Sequence, residues 1–248
     1  MNTNFPLYFH YRHQLQQSHL FKSLSLDTLD DMLKSFRFET WQKGSQHDAR
    51  LALKRFYVIM EGRMELMQIN PETGRSFTLM ILKEGDIYDV LSLLDGREHD
   101  VIPVALDNLK LLSAPMSSVR QWIQRHPEFN KNLMPHLSQC IRDREQIAAD
   151  LALHDTPTRL ARVILRHLPT GINEEQQNSE IKAELLHDLS NEQLAELVGS
   201  VRQVVNSHLG QMKKEGLIHM EQHQIVVDDL RRLKAKAEIM HGHLQQQL

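Results

Sequence analysis

Ser190 to Ile218, SNEQLAELVGSVRQVVNSHLGQMKKEGLI, constrains this chain more than any other stretch, because its caps, glycine and apolar spacing spell two short helices joined by a tight turn. Ser190 with Gln193 three residues on is a capping box, which satisfies amide donors that a helix start leaves orphaned. Leu194, Leu197 and Val198 then form one apolar face. Gly199 stands where a helix needs positive φ to stop, and Val201, Val204, Val205 and Leu209 restart the period. The second helix is therefore expected to bury those apolar positions and to keep Arg202, Gln203, Asn206 and Ser207 on a free side. Such side chains can hydrogen-bond to base edges or phosphates in a major groove. With Ser190, Ser200 and Lys213 they are the candidate DNA-binding residues. From Ser200 to Lys214 there is no acid, while Arg202, Lys213 and Lys214 are basic.

An ordinary helix pair in an α-helical core is the competing reading, and the next segment counts against it. Gly216 ends the second helix, and LIHMEQHQIVV reads as two short strands about a polar turn at Gln222 and His223. That is the wing of a winged helix–turn–helix.

The rest of the chain is organised by its punctuation. From about residue 36 to 115, FRFETW, RFYVIM, MELMQI, FTLMIL and LKLLSAP alternate with turns, as in an antiparallel barrel or roll, and Asn70-Pro71-Glu72-Thr73-Gly74 is a hairpin tip. After Pro127 the pattern becomes helical. Leu133, Leu137, Cys140, Arg144, Ile147 and Leu151 recur at alternating spacings of four and three, a seam that serves either a core or a two-stranded coiled coil. Asp155-Thr156-Pro157 breaks that helix and starts another, since proline suits a first helical turn but not a helix interior. Pro169-Thr170-Gly171 ends the next helix, and INEEQQNSEIKAE is a polar connector with strand character near Ile181.

Four segments in order resemble the cyclic-AMP receptor and fumarate–nitrate-reduction regulator (Crp–Fnr) family of bacterial transcription factors, in addition to the helix–turn–helix. They are HLFKSLSLDTLDDML, RFYVIMEGRMELMQI around Gly62, ILKEGDIYDVLSLLDG after Gly85, and LALHDTPTRLARVIL. The resemblance covers roughly residues 18 to 234. It implies an α+β chain: an effector-type, cyclic-nucleotide-binding-like antiparallel β-roll with an N-terminal helical extension (1–128), a dimerisation helix (129–154) and a winged helix–turn–helix (155–248). It makes the seam a homodimer interface, Asp155 the hinge, double-stranded DNA with a palindromic site the partner, and RNA polymerase a further candidate partner.

The same resemblance places an effector pocket at Asp89, Val90, His99, Asp100, Arg144 and Glu145. Cyclic-AMP-binding members carry a Gly-Glu pair for the ribose and an Arg-Ser pair for the phosphate. Here those positions are Asp89-Val90 and His99-Asp100, so a ribose partner is missing and a second negative charge faces the phosphate. Arg144 and Glu145 fall where the base would be met. These departures argue against cyclic AMP. His99 beside Asp100 is expected to hold its proton more tightly.

One cysteine among 248 residues excludes an intramolecular disulfide and the cysteine cluster of an iron–sulfur sensor. Cys140, on the seam, is expected to be structural and inert. Haem stays open, because His10, His13, His19, His99 and His136 are among 15 histidines; a haem- or other small-molecule-dependent sensor of the same family is the alternative. His219, His223, His241 and His243 read as solvent-exposed. Carboxylate pairs Asp30-Asp31, Glu174-Glu175 and Asp228-Asp229 sit in capping or solvated contexts, and the motifs of a phosphate loop, nucleophile elbow or metalloprotease helix are missing, so catalysis is not expected. Residues 156–248 hold eleven Lys and Arg against twelve Asp and Glu. The DNA reading thus rests on local charge placement. With 41% hydrophobic residues, no apolar run of about 20 residues for a membrane span and a polar N-terminus, a cytoplasmic protein is expected.

Overall fold

The computed structural model describes residues 5–169 and 180–238. Contacts divide the chain into two compact units, residues 1–74 with 79–144, and residues 145–248 with the short stretch 75–78.

The first unit opens with α1 (Tyr8–Gln17) and α2 (Leu26–Leu33), the latter capped by Ser25, whose side chain accepts from the Thr28 amide. Then follow β1 (Arg37–Trp41), α3 (Leu51–Lys54), β2 (Arg55–Glu61), β3 (Met64–Ile69), β4 (Ser76–Leu82), β5 (Ile87–Tyr88), α4 (Val90–Asp95), β6 (Ile102–Ala105), β7 (Leu109–Pro115) and α5 (Met116–Arg125). One sheet runs β1-β7-β2-β5 and another β4-β3-β6, with the named pairings antiparallel. This is the expected roll, with the hairpin tip at Asn70–Gly74 between β3 and β4. Gly62 turns β2 into β3 at φ +85°; a Cβ there would lie 3.0 Å from Leu109 and 3.2 Å from Asp107. Arg63 clamps the turn with a two-pronged bond to Asp107 at 2.7 and 2.9 Å. Strands β5 and β6 are short and lack a long β-favouring run, so sequence reading passed over them.

Helix α6 spans Pro127–Leu153. Here the seam reading needs correction. Leu133 is completely buried in the first unit's own core, beside Phe21, Phe129 and Trp122, and Leu137 packs against that cluster. An apolar heptad position serves the intramolecular core when a neighbouring layer covers it. The large apolar side chains that α6 leaves outward are Met134, Ile141 and Leu153, 52%, 60% and 60% exposed, together with the seam's own Leu151 at 40%.

In the second unit, α7 (Thr156–Arg166) starts at Asp155, whose carboxylate accepts the Thr158 amide at 3.0 Å. Asp150, buried near the end of α6, receives Arg162 at 2.6 Å and Arg166 at 2.5 Å, which pins α7 across the Asp155 break. Then come β8 (Ile181–Lys182), a 3₁₀ turn at Glu184–Leu186, α8 (Asn191–Val198), α9 (Arg202–Lys214), β9 (Ile218–Glu221), β10 (Gln224–Val227) and α10 (Leu230–Glu238). The sheet order β8-β10-β9 makes the wing three-stranded, with Gln222 and His223 at positive φ in its turn. Thr170, Gly171, Glu174, Glu175, His241 and His243 lie outside the described residues. Within those described, no helix is long and apolar enough to cross a membrane.

Candidate nucleic-acid interface

Local chemistry sets the angle between α8 and α9. At the start of α8, the Ser190 side chain accepts from the Gln193 amide at 3.1 Å, and the Gln193 side chain accepts from the Ser190 amide at 3.0 Å. At its end Gly199 takes φ +70°, and a Cβ there would lie 2.6 Å from the Leu151 side chain. The Gly199 carbonyl accepts from Arg159 of α7 at 3.2 Å, a tie that sequence reading missed.

Helix α9 buries Val205, Leu209 and Met212, spaced by four and three, against α7 and α8. Each such side chain contributes roughly 1.5–3 kcal/mol by leaving water, enough to hold the helix firmly on its scaffold. Arg202, Gln203, Asn206, Ser207 and Lys213 are all exposed on it. Among the described residues no hydrogen bond occupies the first four side chains. Ser200 is half-buried in the turn, and the exposed Ser190 keeps its hydroxyl proton free to donate while its oxygen caps α8.

Two apolar assignments on this helix need correction. Val201 is 55% exposed and Val204 37% exposed. Val201 is the extended residue before the first turn, not part of it, and Val204 stands one position, about 100° of helix, from the buried Val205. Both join the outward side.

The effector turn is arranged differently. Asp89 is buried, and its carboxylate accepts from the Leu91 amide at 3.2 Å, the Ser92 hydroxyl at 2.6 Å and His99 Nδ1 at 3.1 Å. Burial pushes this carboxyl up, but the hydrogen bonds from His99 and Ser92 together outweigh it and hold it below the usual carboxylate range. His99 therefore pairs with Asp89, not with Asp100 as expected; Asp100 is exposed, and its carbonyl accepts from Gln68. Val90 packs on the core below. Arg144, half-buried, is one turn from Cys140, and Glu145 is exposed. So the structure brings Asp89, Val90 and His99 together, while among the described residues Asp89 has no bond to Arg144. Ser92, the closing member of the network, was missed, since a serine inside an apolar run gives no signal of its own.

Of the histidines considered for haem, His99 is engaged by Asp89, and His136 Nε2 lies 3.6 Å from the Cys140 sulfur. Burial lowers the pKa of His136 and raises that of the Cys140 thiol. His219 is not free surface: it lies 2.7 Å from Asp228 on the wing. Asp228 and Asp229 are likewise engaged, the latter accepting the Arg232 amide at the start of α10.

A rigid reading helix with an unoccupied polar side, a glycine-turned partner helix and a three-stranded wing define a winged helix–turn–helix DNA-binding protein. The Crp-like helix-turn-helix domain family matches residues 158–236. The "Global nitrogen regulator" of Nostoc sp. (strain PCC 7120) is 30% identical over 179 residues, covering 70% of this chain and 77% of that protein. The "CRP-like cAMP-activated global transcriptional regulator" of Mycobacterium tuberculosis is 27% identical over 183 residues, 74% of this chain and 80% of that protein. A mutant CooA from Carboxydothermus hydrogenoformans has the same fold, with a TM-score of 0.67 at 22% identity, covering 84% of this chain and 90% of that one. The chain belongs to the Crp–Fnr family of transcription factors: it is a DNA-binding transcription regulator, and its relatives are regulators rather than enzymes.

Proposed function

We propose that the protein binds a two-fold symmetric DNA site as a homodimer in the cytoplasm and does so without cyclic AMP, with RNA polymerase as a further partner. The observation that carries the DNA reading is α9, whose outward side from Ser200 to Lys214 holds no acid and leaves Arg202, Gln203, Asn206 and Ser207 unengaged. Arg202 matches the two acceptors of a guanine edge, and the side-chain amide of Gln203 matches the N6 donor and N7 acceptor of an adenine edge. Met134 and Ile141, seven residues apart and exposed on α6, support a two-fold seam with Ala148 at the next heptad position. The domain limits of the sequence reading, 1–128, 129–154 and 155–248, are retained in this scheme.

Independence from cyclic AMP is supported by the effector turn, where Asp89, Ser92 and His99 satisfy one another and Val90 has no group to offer a ribose. Site selection from random DNA is the test of the DNA reading, with Arg202→Ala expected to lose preference at one position of each half-site. Isothermal titration with cyclic AMP, beside DNA binding by the unliganded protein, tests the rest. Micromolar binding that strengthens DNA affinity refutes it.

A further inference from the structure

One face of the wing sheet brings three metal-ligating side chains together, His219 in β9, Asp228 just after β10 and Glu180 just before β8. Val226 in β10 lies opposite Lys182 on one side and His219 on the other. Two residues on from Val226, just past β10, is Asp228, and two residues back from Lys182, just before β8, is Glu180. Because side chains alternate with a period of two, Glu180, His219 and Asp228 share one face with Lys182, Glu221 and the buried Val226. Ile181, Ile218, Ile225 and Val227 fall on the other face and are buried. One ligand atom from each of Glu180, His219 and Asp228 lies within 4.8 Å of the other two. The cluster sits at the base of the wing, at the end away from the Gln222–His223 turn.

Two carboxylates meet there, and Asp228 Oδ1 lies 2.7 Å from His219 Nδ1. The β8–β10 register, continued one residue past each strand, sets Glu180 opposite Asp228, where like charges repel. The lysine on this face, Lys182, is bound to Glu221 at 2.6 Å. A neutral imidazole with two carboxylates is a doubly negative, mixed nitrogen–oxygen donor set, which suits Zn²⁺ or a similar transition ion better than Ca²⁺ or Cu⁺. Ligand atoms about 2.0–2.2 Å from a tetrahedral ion stand roughly 3.4 Å apart, so small side-chain rotations close the set.

We propose that Glu180, His219 and Asp228 form a binding site for a divalent transition ion of the Zn²⁺ class, with water completing the coordination shell. Such an ion ties β8 to the β9–β10 hairpin, and because it requires the folded sheet it stabilises the winged unit by linkage.

The test is calorimetric titration of the full chain, stripped with chelator, with Zn²⁺. Wild type and His223→Ala are expected to share an isotherm, whereas Glu180→Gln and Asp228→Asn lose one equivalent or bind it at least tenfold more weakly. Glu180 is exposed, so Glu180→Gln should unfold at the wild-type midpoint in chelator yet miss the rise that Zn²⁺ gives wild type. Isotherms of Glu180→Gln and Asp228→Asn that superimpose on wild type overturn the proposal. That result leaves the DNA reading untouched, since no side chain of α9 belongs to the site.

Discussion

The effector turn at Asp89 and the reading helix that starts at Arg202 are both rich in hydrogen-bonding side chains, and they use them in opposite ways. At Asp89 the carboxylate is buried, so it must find partners or bear the cost of desolvation; Ser92, His99 and the Leu91 amide supply them. On α9 the backbone is satisfied by the helix and the apolar stripe holds it down, which leaves Arg202, Gln203, Asn206 and Ser207 in solvent. Motif position in the chain marks both regions as sites. Burial separates them, because the Asp89 carboxylate is held away from solvent by three partners of its own fold, whereas the side chains on α9 stand in water where another molecule can reach them.

The largest effect that would break this contrast is expected at Asp89. Asp89→Ala removes a charged acceptor from Ser92, His99 and the cap of α4, and should destabilise the protein by on the order of 3 kcal/mol. Urea denaturation reads this directly. A variant as stable as wild type would show that Asp89 does not hold the turn together. Next comes Arg202→Ala, which should cost about 1–3 kcal/mol of discrimination against the wrong base while changing stability by less than about 0.5 kcal/mol. Competition binding with cognate and single-base-changed DNA, beside a thermal melt, measures both. A destabilised Arg202→Ala would mean that this arginine also serves the fold.

Ser190 belongs to both regimes and sharpens the contrast. Its oxygen caps α8, so Ser190→Ala should destabilise by about 1 kcal/mol. Its proton faces solvent, so Ser190→Asp, which keeps a cap, should restore stability and weaken DNA binding through repulsion of phosphate. A melt and a shift assay on the two variants separate the roles; equal DNA affinity in Ser190→Asp would remove Ser190 from the interface.

What the sequence made legible follows the same line. Features governed by local chemistry were readable: the Ser190–Gln193 box, Gly199, the Asp155 cap, the Asn70–Gly74 hairpin and the outward placement of Arg202, Gln203, Asn206 and Ser207. Features that depend on what covers a residue were not. Leu133 and Leu137 keep a coiled-coil spacing but lie on the first unit's own core, while Met134 and Ile141 face out. Val204 has the composition of a buried position and is exposed. The Asp89–His99 pair joins residues ten apart across α4, and the wing cluster needs a strand register that spans Glu180 to Asp228. Periodicity reports a face of a helix or strand; only the tertiary neighbours decide whether that face meets core, solvent or another molecule.

Asp155 gives the smallest effect and tests whether an exposed side chain can still be fully engaged. Its hydrogen bond from Thr158 holds the carboxyl below the usual range, so the unfolded chain, near pKa 3.9, binds the proton more readily than the folded one. The stabilisation is therefore complete above about pH 4 and is lost as pH falls through the folded-state value. Asparagine caps a helix about as well as aspartate does but does not titrate. Asp155→Asn should match wild type near neutral pH and show a shallower loss of stability in acid, whereas Asp155→Ala should be weaker by about 1 kcal/mol at neutral pH. Denaturant midpoints between pH 7 and pH 3 decide it. Parallel pH profiles for wild type and Asp155→Asn would show that the charge on Asp155 contributes nothing to the joint, and that the α6–α7 break rests on Asp150 with Arg162 and Arg166 alone.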